Sequence, residues 1–201
     1  GSITTIEIAF LSIIFGIILG AILALAKNSN NKIIFSIANT WIEISRNTPA
    51  LYQIYMAYFG LGTFGIYVGS FGALLIGITF NNSGYLAETF RGGLRAIPAT
   101  QMKTGRSLGM NFFQSFIYII FPQLFRIVFH SVTNQTVLAI LMTSLGVIVG
   151  MNTDLMGVTN ELNALSFRTF EYFLFAAVLY YLITKIFLNS AYLLSFKLFK
   201  Y

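Results

Sequence analysis

Three groups of residues in this chain have the types and spacing for chemistry or recognition, and each also admits a plain structural reading. Glu43 with Arg46, and Glu88 with Arg91, repeat an E-x-x-R spacing. Residues i and i+3 share a helix face, so each pair can neutralise itself locally. Unpaired charge in lipid is costly, which favours structural pairing; the functional alternative is an interdomain contact. Residues 91–111 are the most charged stretch, with Arg91, Arg95, Lys103 and Arg106 and no acid after Glu88. Pro98 breaks the chain there, residues 99–108 hold good helix formers, and Gly109 is placed as a C-cap, so a short basic amphipathic helix is predicted. It would lie on anionic lipid or dock on a cytoplasmic partner, and both readings stand. Residues 112–149 carry Asn134, Gln135, Thr136, Thr143 and Ser144 in an apolar run. Isolated hydroxyls are ordinary packing groups between membrane helices, whereas adjacent amides more often face a cavity. Asn134, Val137 or Leu138, and Leu141 fall on one helical face, with Ser144 near it. His130 has no ionisable neighbour close in sequence and reads as a satisfied interior histidine.

No catalytic constellation accompanies these groups. There is no Cys and a single His, so thiolate chemistry, disulfides and a metal cluster are excluded. No G-x-x-x-x-G-K-[ST] loop occurs, and Gly92-Gly93 lacks that context. Any ATP-driven work must come from another chain.

The elements that position these residues are membrane helices. Of 201 residues, 57% are apolar and 9% charged, with a formal net charge of +6. A soluble domain carries roughly 25% charge, so a soluble enzyme, a disordered chain and a nucleic-acid binder are all disfavoured. Charge-free runs cover residues 8–26, 47–87, 107–125 and 127–153. A helix needs about 20 mainly apolar residues to cross the hydrocarbon core. The predicted spans are residues 3–26, 33–58, 67–90, a fourth within 112–149, and 169–194. The first is too long, and lacks the basic start, for a secretory signal peptide. The fourth stretch exceeds one crossing and contains Pro122, so it must bend, break or extend past the lipid. Residues 27–32 read as a polar hinge and 151–168 as a polar, mildly acidic loop. Lys27 and Lys32, the basic stretch 91–111, and Lys197 with Lys200 belong inside by the positive-inside rule. Five crossings then put the N-terminus outside and the C-terminus in the cytoplasm. The whole of 1–201 forms one transmembrane domain.

Ordered blocks along nearly the whole chain resemble the permease subunits of bacterial ATP-binding-cassette importers for polar amino acids, the histidine/glutamine/arginine family. Arg46-Asn-Thr-Pro-Ala-Leu-Tyr-Gln53 is similar to R-G-T-P-L-L-x-Q, and Gly84-Tyr-Leu-Ala-Glu-Thr-Phe-Arg-Gly-Gly93 to A-Y-x-x-E-x-x-R-G-G. Residues 101–109 fall on Q-x-E-A-A-x-x-L-G, Pro122-Gln123 on P-Q, Asn134-Gln135 on N-Q, and Thr143-Ser144-Leu145 on the end of L-K-D-T-S-L. The resemblance implies an all-α type I importer permease in the bacterial plasma membrane. It implies a coupling helix at Gln101, Lys103, Thr104, Gly105, Arg106, Ser107, Leu108 and Gly109 that inserts into a cytoplasmic ATPase. It also implies a pathway or substrate region at Asn134, Gln135, Leu141, Met142, Thr143 and Ser144. The implied partners are an ATPase dimer carrying ATP and Mg, an extracytoplasmic amino-acid-binding protein, a second permease subunit and membrane lipid; no cofactor is expected on this chain, and no nucleic acid.

Two departures qualify that picture. The family's Glu-Ala-Ala becomes Lys103-Thr104-Gly105, and its Lys-Asp falls on Leu141 and Met142. Gly105 costs about 1 kcal/mol of helix propensity against Ala. A charged ligand would find no ion partner at Leu141 and Met142, so the site is weakly polar or the pair is a heterodimer whose other chain supplies charge; a heterodimer is favoured. The same departures keep a rival function open, a regulatory or signalling membrane component that retains the permease fold and ATPase docking without transport.

Overall fold

The computed structural model describes residues 1–199, and every assigned element among them is helical. Lys200, one of the two tail lysines read as cytoplasmic, lies outside the described residues. The elements are α1 (Ser2–Ala26), α2 (Lys32–Asn47), α3 (Ala50–Tyr55) running into a π-turn at Met56–Gly60, α4 (Ser70–Ala96), α5 (Ala99–Ser107), α6 (Phe112–Ser115), a π-turn at Phe116–Ile120, α7 (Phe121–Met142) ending in a 3₁₀ segment Thr143–Val149, α8 (Leu155–Ser166) and α9 (Thr169–Leu198). Three helical stretches, Ser2–Ala26, Phe112–Val149 and Thr169–Leu198, are long and apolar enough to cross a membrane.

The helix α4 is the central post. The α1 helix lies along it at close range because Gly16 and Gly20 have no side chain. A Cβ at Gly16 would come to 2.8 Å from Asn82 Cβ, and one at Gly20 to 2.8 Å from Leu86 Cβ. Small residues four apart let backbones approach where no hydrophobic drive exists in lipid. On its other side α4 receives α3, where a Cβ on Gly77 would lie 2.8 Å from Ile54 Cα. One contiguous core joins these helices to α7, α8 and α9 through Ile8, Ile54, Leu74, Ile78, Ala139, Leu155 and Tyr180. Outside it, large apolar side chains such as Phe10, Ile22, Phe175 and Ile186 are exposed, as expected of helices whose solvent is lipid.

The span expected over residues 33–58 is two helices. Thr48 is extended (φ −114°, ψ 146°) because the residue before a proline is pushed out of the helical region, and Pro49 starts the next helix. The third expected span is α4, which runs on to Ala96, past the expected end at residue 90. The long fourth stretch is nearly continuous. Its π-turn, in which the Phe121 N–H reaches the Phe116 carbonyl, precedes Pro122 and absorbs the N–H that proline lacks. The region read as a polar loop, residues 151–168, contains α8. Asp154 caps it, its carboxylate accepting from the N–H groups of Met156 and Gly157 at 3.1 Å each. Burial pushes the Asp154 carboxyl up, and these two N–H groups pull it back.

Candidate functional site

The basic helix predicted after Pro98 is α5, and its C-terminal end is locked by local bonds. Gly109 takes φ +84°, a left-handed conformation that glycine adopts freely. The Met110 N–H then donates to the Gly105 carbonyl at 3.2 Å and the Gly109 N–H to the Arg106 carbonyl at 3.1 Å, a Schellman stop. Immediately after, Asn111 Oδ1 accepts from the Gln114 N–H and Gln114 Oε1 accepts from the Asn111 N–H, both at 2.8 Å. This capping box was readable as Asn111-x-x-Gln114 but was not singled out in the sequence.

One face of α5 packs inward. Gly105 is buried, and a Cβ there would lie 2.7 Å from Ile119 Cδ1 and 2.8 Å from Ser115 Oγ. The glycine that weakens α5 as a helix thus lets it seat on α6 and the following π-turn. Lys103, Thr104, Arg106, Ser107 and Leu108 are exposed, and Gln101 is half-buried. Leu108, Phe112 and Phe113 are 73%, 65% and 70% exposed beside the two cations. A knob of mixed apolar and positive character is suited to a groove with an apolar floor and acidic walls.

The two E-x-x-R pairs part company. Glu88 binds Arg91 as expected, with Arg91 Nε 3.0 Å from Oε2. It also accepts from Lys27 Nζ at 2.9 Å, a partner 61 residues away that sequence spacing could not reveal. Glu43 and Arg46 do not pair. Glu43 accepts from Asn47 Nδ2 at 2.9 Å, one turn on, while the Arg46 guanidinium sits 5.6 Å from the centre of the Tyr85 ring. Aromatic and amide groups outcompete the i,i+3 geometry there.

The break at Pro49 has a chemical consequence. In an unbroken helix the Ser45 carbonyl would accept from residue 49, and proline has no N–H to give. Gln53 Nε2 supplies that bond at 2.9 Å and Asn81 Nδ2 a second at 3.2 Å. Gln53 Nε2 also reaches Thr48 Oγ1 at 2.9 Å. Next along α4, Asn82 Oδ1 accepts from Gln135 Nε2 at 2.8 Å and Ser83 Oγ from Trp41 Nε1 at 2.9 Å. Gln53 Oε1, Thr79 Oγ1, Asn81 Oδ1 and Asn82 Nδ2 are buried without a partner. The polar run at residues 79–83 was not singled out in the sequence, although five successive residues with four polar side chains in an apolar helix were its signal.

The adjacent amides Asn134 and Gln135 point apart. Gln135 turns inward to Asn82, whereas Asn134 is exposed on a face it shares with Leu138 and Leu141, 45% and 43% exposed. Met142 packs against the core, Thr143 is buried with its hydroxyl on the Ile140 carbonyl, and Ser144 bonds the Leu141 carbonyl, so neither of these hydroxyls has its donor spare. His130, expected in the interior, is exposed, its ring edge-on to Phe129 at 5.8 Å. Among the described residues, no group of three or more His, Cys, Asp and Glu side chains is placed to hold a metal ion.

Residues 16–200 match the family described as the binding-protein-dependent transport system inner membrane component. The probable amino-acid ABC transporter permease protein PatM of Vibrio harveyi is 32% identical over 181 residues, which is 89% of this chain and 81% of that protein. The histidine/lysine/arginine/ornithine transport system permease protein HisM of Escherichia coli (strain K12) is 27% identical over 195 residues, 92% of this chain and 82% of the other. Among solved structures, one described as an amino acid ABC transporter with histidines superposes with a TM-score of 0.88 at 29% identity, covering 98% of this chain and 92% of that one. The MetNI methionine ABC transporter in an inward-facing conformation shares the fold, with a TM-score of 0.79 at 14% identity over 98% of this chain and 94% of that one. A basic helix slung between two longer helices, in a chain whose described elements are all helical and which is matched over nearly its whole length, leads to one assignment: the chain belongs to the family of inner-membrane components of binding-protein-dependent transport systems.

Proposed function

We propose that this chain is the membrane subunit of an ATP-driven amino-acid importer, forming half of the translocation pathway. The relatives named above are transport permeases, and a regulatory role finds no support among them. Hydrolysis resides on a separate ATPase subunit, and a binding protein delivers the substrate, as the family's description entails. ATP and Mg would be held by that ATPase. The reading carries five crossings, made by α1, α2 with α3, α4, the long α6–α7 helix and α9, with the start of α1 outside and the end of α9 inside. The α5 face bearing Lys103, Arg106 and Leu108 is then the cytoplasmic coupling surface. ATP-driven closure of two ATPase subunits would move it, and the spans would rock between inward- and outward-facing states.

The pathway face in this proposal is the exposed strip of Asn134, Leu138 and Leu141, with Ser144 at its end. It offers one amide and no charge. A second permease chain covers it, and a different chain, supplying the ion partner that Leu141 and Met142 lack, accounts best for a polar substrate. The observation that carries the proposal is α5 itself, capped at Gly109 and presenting two cations beside exposed apolar side chains.

The test is reconstitution with the cognate ATPase and binding protein in proteoliposomes. Expected are ATP-dependent amino-acid accumulation in the parent and hydrolysis without accumulation in Arg106→Glu. Unchanged uptake in that variant, or ATPase docking with no uptake in the parent, would sink the proposal. Mass measurement of every chain in the purified complex reads the pairing; a homodimer with bound arginine would defeat both the weakly polar site and the heterodimer.

A further inference from the structure

A groove of about 680 Å³ lies between α1, α4, α7 and α9, with Ala24, Phe90, Phe121, Phe125, Ala191 and Leu194 among its walls. Phe121 and Leu194 are each 48% exposed, so it opens onto the outside of the chain. Three hydroxyls reach it, those of Thr133, Thr136 and Ser190. Each donates to a carbonyl one turn back in its own helix, at 2.9, 2.9 and 2.8 Å. Their donors are spent within the helices, so the walls offer a polar solute no donor and only three hydroxyl oxygens as acceptors. The volume falls within the span of about 300–1,000 Å³ typical of small-molecule sites.

The rim is not apolar. Lys197 follows Leu194 by one helical turn, on the same face. Lys27 follows the end of α1 two residues after Leu25, another wall residue, and Arg95 follows the wall residue Leu94. Glu88 is the acid that engages Lys27, and it also engages Arg91. One end of the apolar groove is therefore fringed by an excess of positive charge.

We propose that this groove binds one acyl chain of an anionic glycerophospholipid of the inner leaflet, with the headgroup against the basic rim. The assignment of leaflet rests on the topology proposed above. Two walls belong to α4 and to the π-turned helix leading into α7, which flank α5 in the chain. These two helices touch at Gly93, where a Cβ would lie 2.6 Å from Val128 Cγ1, so a lodged chain lies across the junction from which the coupling segment hangs.

The test uses the intact complex in nanodiscs of equal phosphatidylglycerol and phosphatidylcholine, followed by detergent extraction and native mass spectrometry. Phosphatidylglycerol should be retained in preference to phosphatidylcholine. Ala191→Trp, which fills the groove, should shed it with subunit stoichiometry unchanged; Ser190→Phe does the same from the neighbouring position if the first variant fails to assemble. Lys197→Gln should cut the phosphatidylglycerol preference about fivefold, the equivalent of ~1 kcal/mol per basic residue at an anionic surface. Wild-type retention in both filled variants, absence of headgroup preference in the parent, or a disulfide between two permease chains through Leu194→Cys would each overturn the proposal. The last outcome would make a second copy the occupant. Because the chain has no native Cys, Thr100→Cys reports topology separately. Labelling by an impermeant maleimide from the outer face would overturn the inner-leaflet assignment and the topology, whatever the lipid ratio reads.

Discussion

The α5 segment, proposed above as the coupling element, and the amide cluster at the Pro49 break are both polar islands in an apolar chain, built on opposite plans. Around α5 the bonds are local: Gly109 to Arg106, Met110 to Gly105, Asn111 with Gln114. In the cluster they join residues far apart, Asn81 to Ser45, Trp41 to Ser83, Gln135 to Asn82. A locally closed element keeps its shape when its surroundings move, which suits a part that transmits motion to another subunit. A cluster closed across helices ties α2, α3, α4 and α7 to one another and, in the proposed scheme, suits the body that stays rigid while α5 is pushed.

The contrast can be broken from either side. The largest effect is expected from Gln53→Leu with Asn81→Leu, which strips both donors from the Ser45 carbonyl. Leaving such a group bare in the interior costs about 1–3 kcal/mol, read as a fall in the midpoint of thermal unfolding of the purified complex, with uptake and hydrolysis declining together. Uncoupled hydrolysis at an unchanged midpoint would mean the cluster belongs to transmission after all. Next comes Gly109→Ala, which forces a side chain into the left-handed region at about 1–2 kcal/mol. Because α5 is closed locally, the global midpoint should hold while uptake per ATP falls. Asn82→Ala and Gln135→Ala, taken singly and together, should couple by about 1 kcal/mol in a double-mutant cycle; additivity would deny the bond between α4 and α7. The smallest change is Asn111→Ala, which removes the capping box for about 0.5–2 kcal/mol, localised to α6 and detectable as faster amide exchange at residues 112–115 with the midpoint of the whole nearly unmoved.

The same contrast explains what could be read from the residue order. Helix α5, its proline start and its glycine stop are local chemistry and were legible, as were α1 and α9, long apolar runs between polar breaks. The Pro49 break was hidden inside 41 residues without a charge, where composition overrode the one residue that cannot continue a helix hydrogen bond. Helix α8 was hidden in the opposite way, by polar residues that read as loop, although Asp154 marks its start. The second partner of Glu88 and the inward turn of Gln135 depend on which helix faces which, and one sequence carries no period that reports this. Glu43 and Arg46 had the right spacing for each other and better partners nearby, a reminder that i,i+3 geometry permits a pair without requiring it.

The carbonyl of Ser45 is held from two directions, by an amide two turns further along its own chain and by another on a neighbouring helix. Such a joint behaves as a welded bracket: the angle at residue 49 cannot open unless both arms release together. Helices α2, α3 and α4 should therefore travel as one plate during a transport cycle, and the flexing must fall outside that plate.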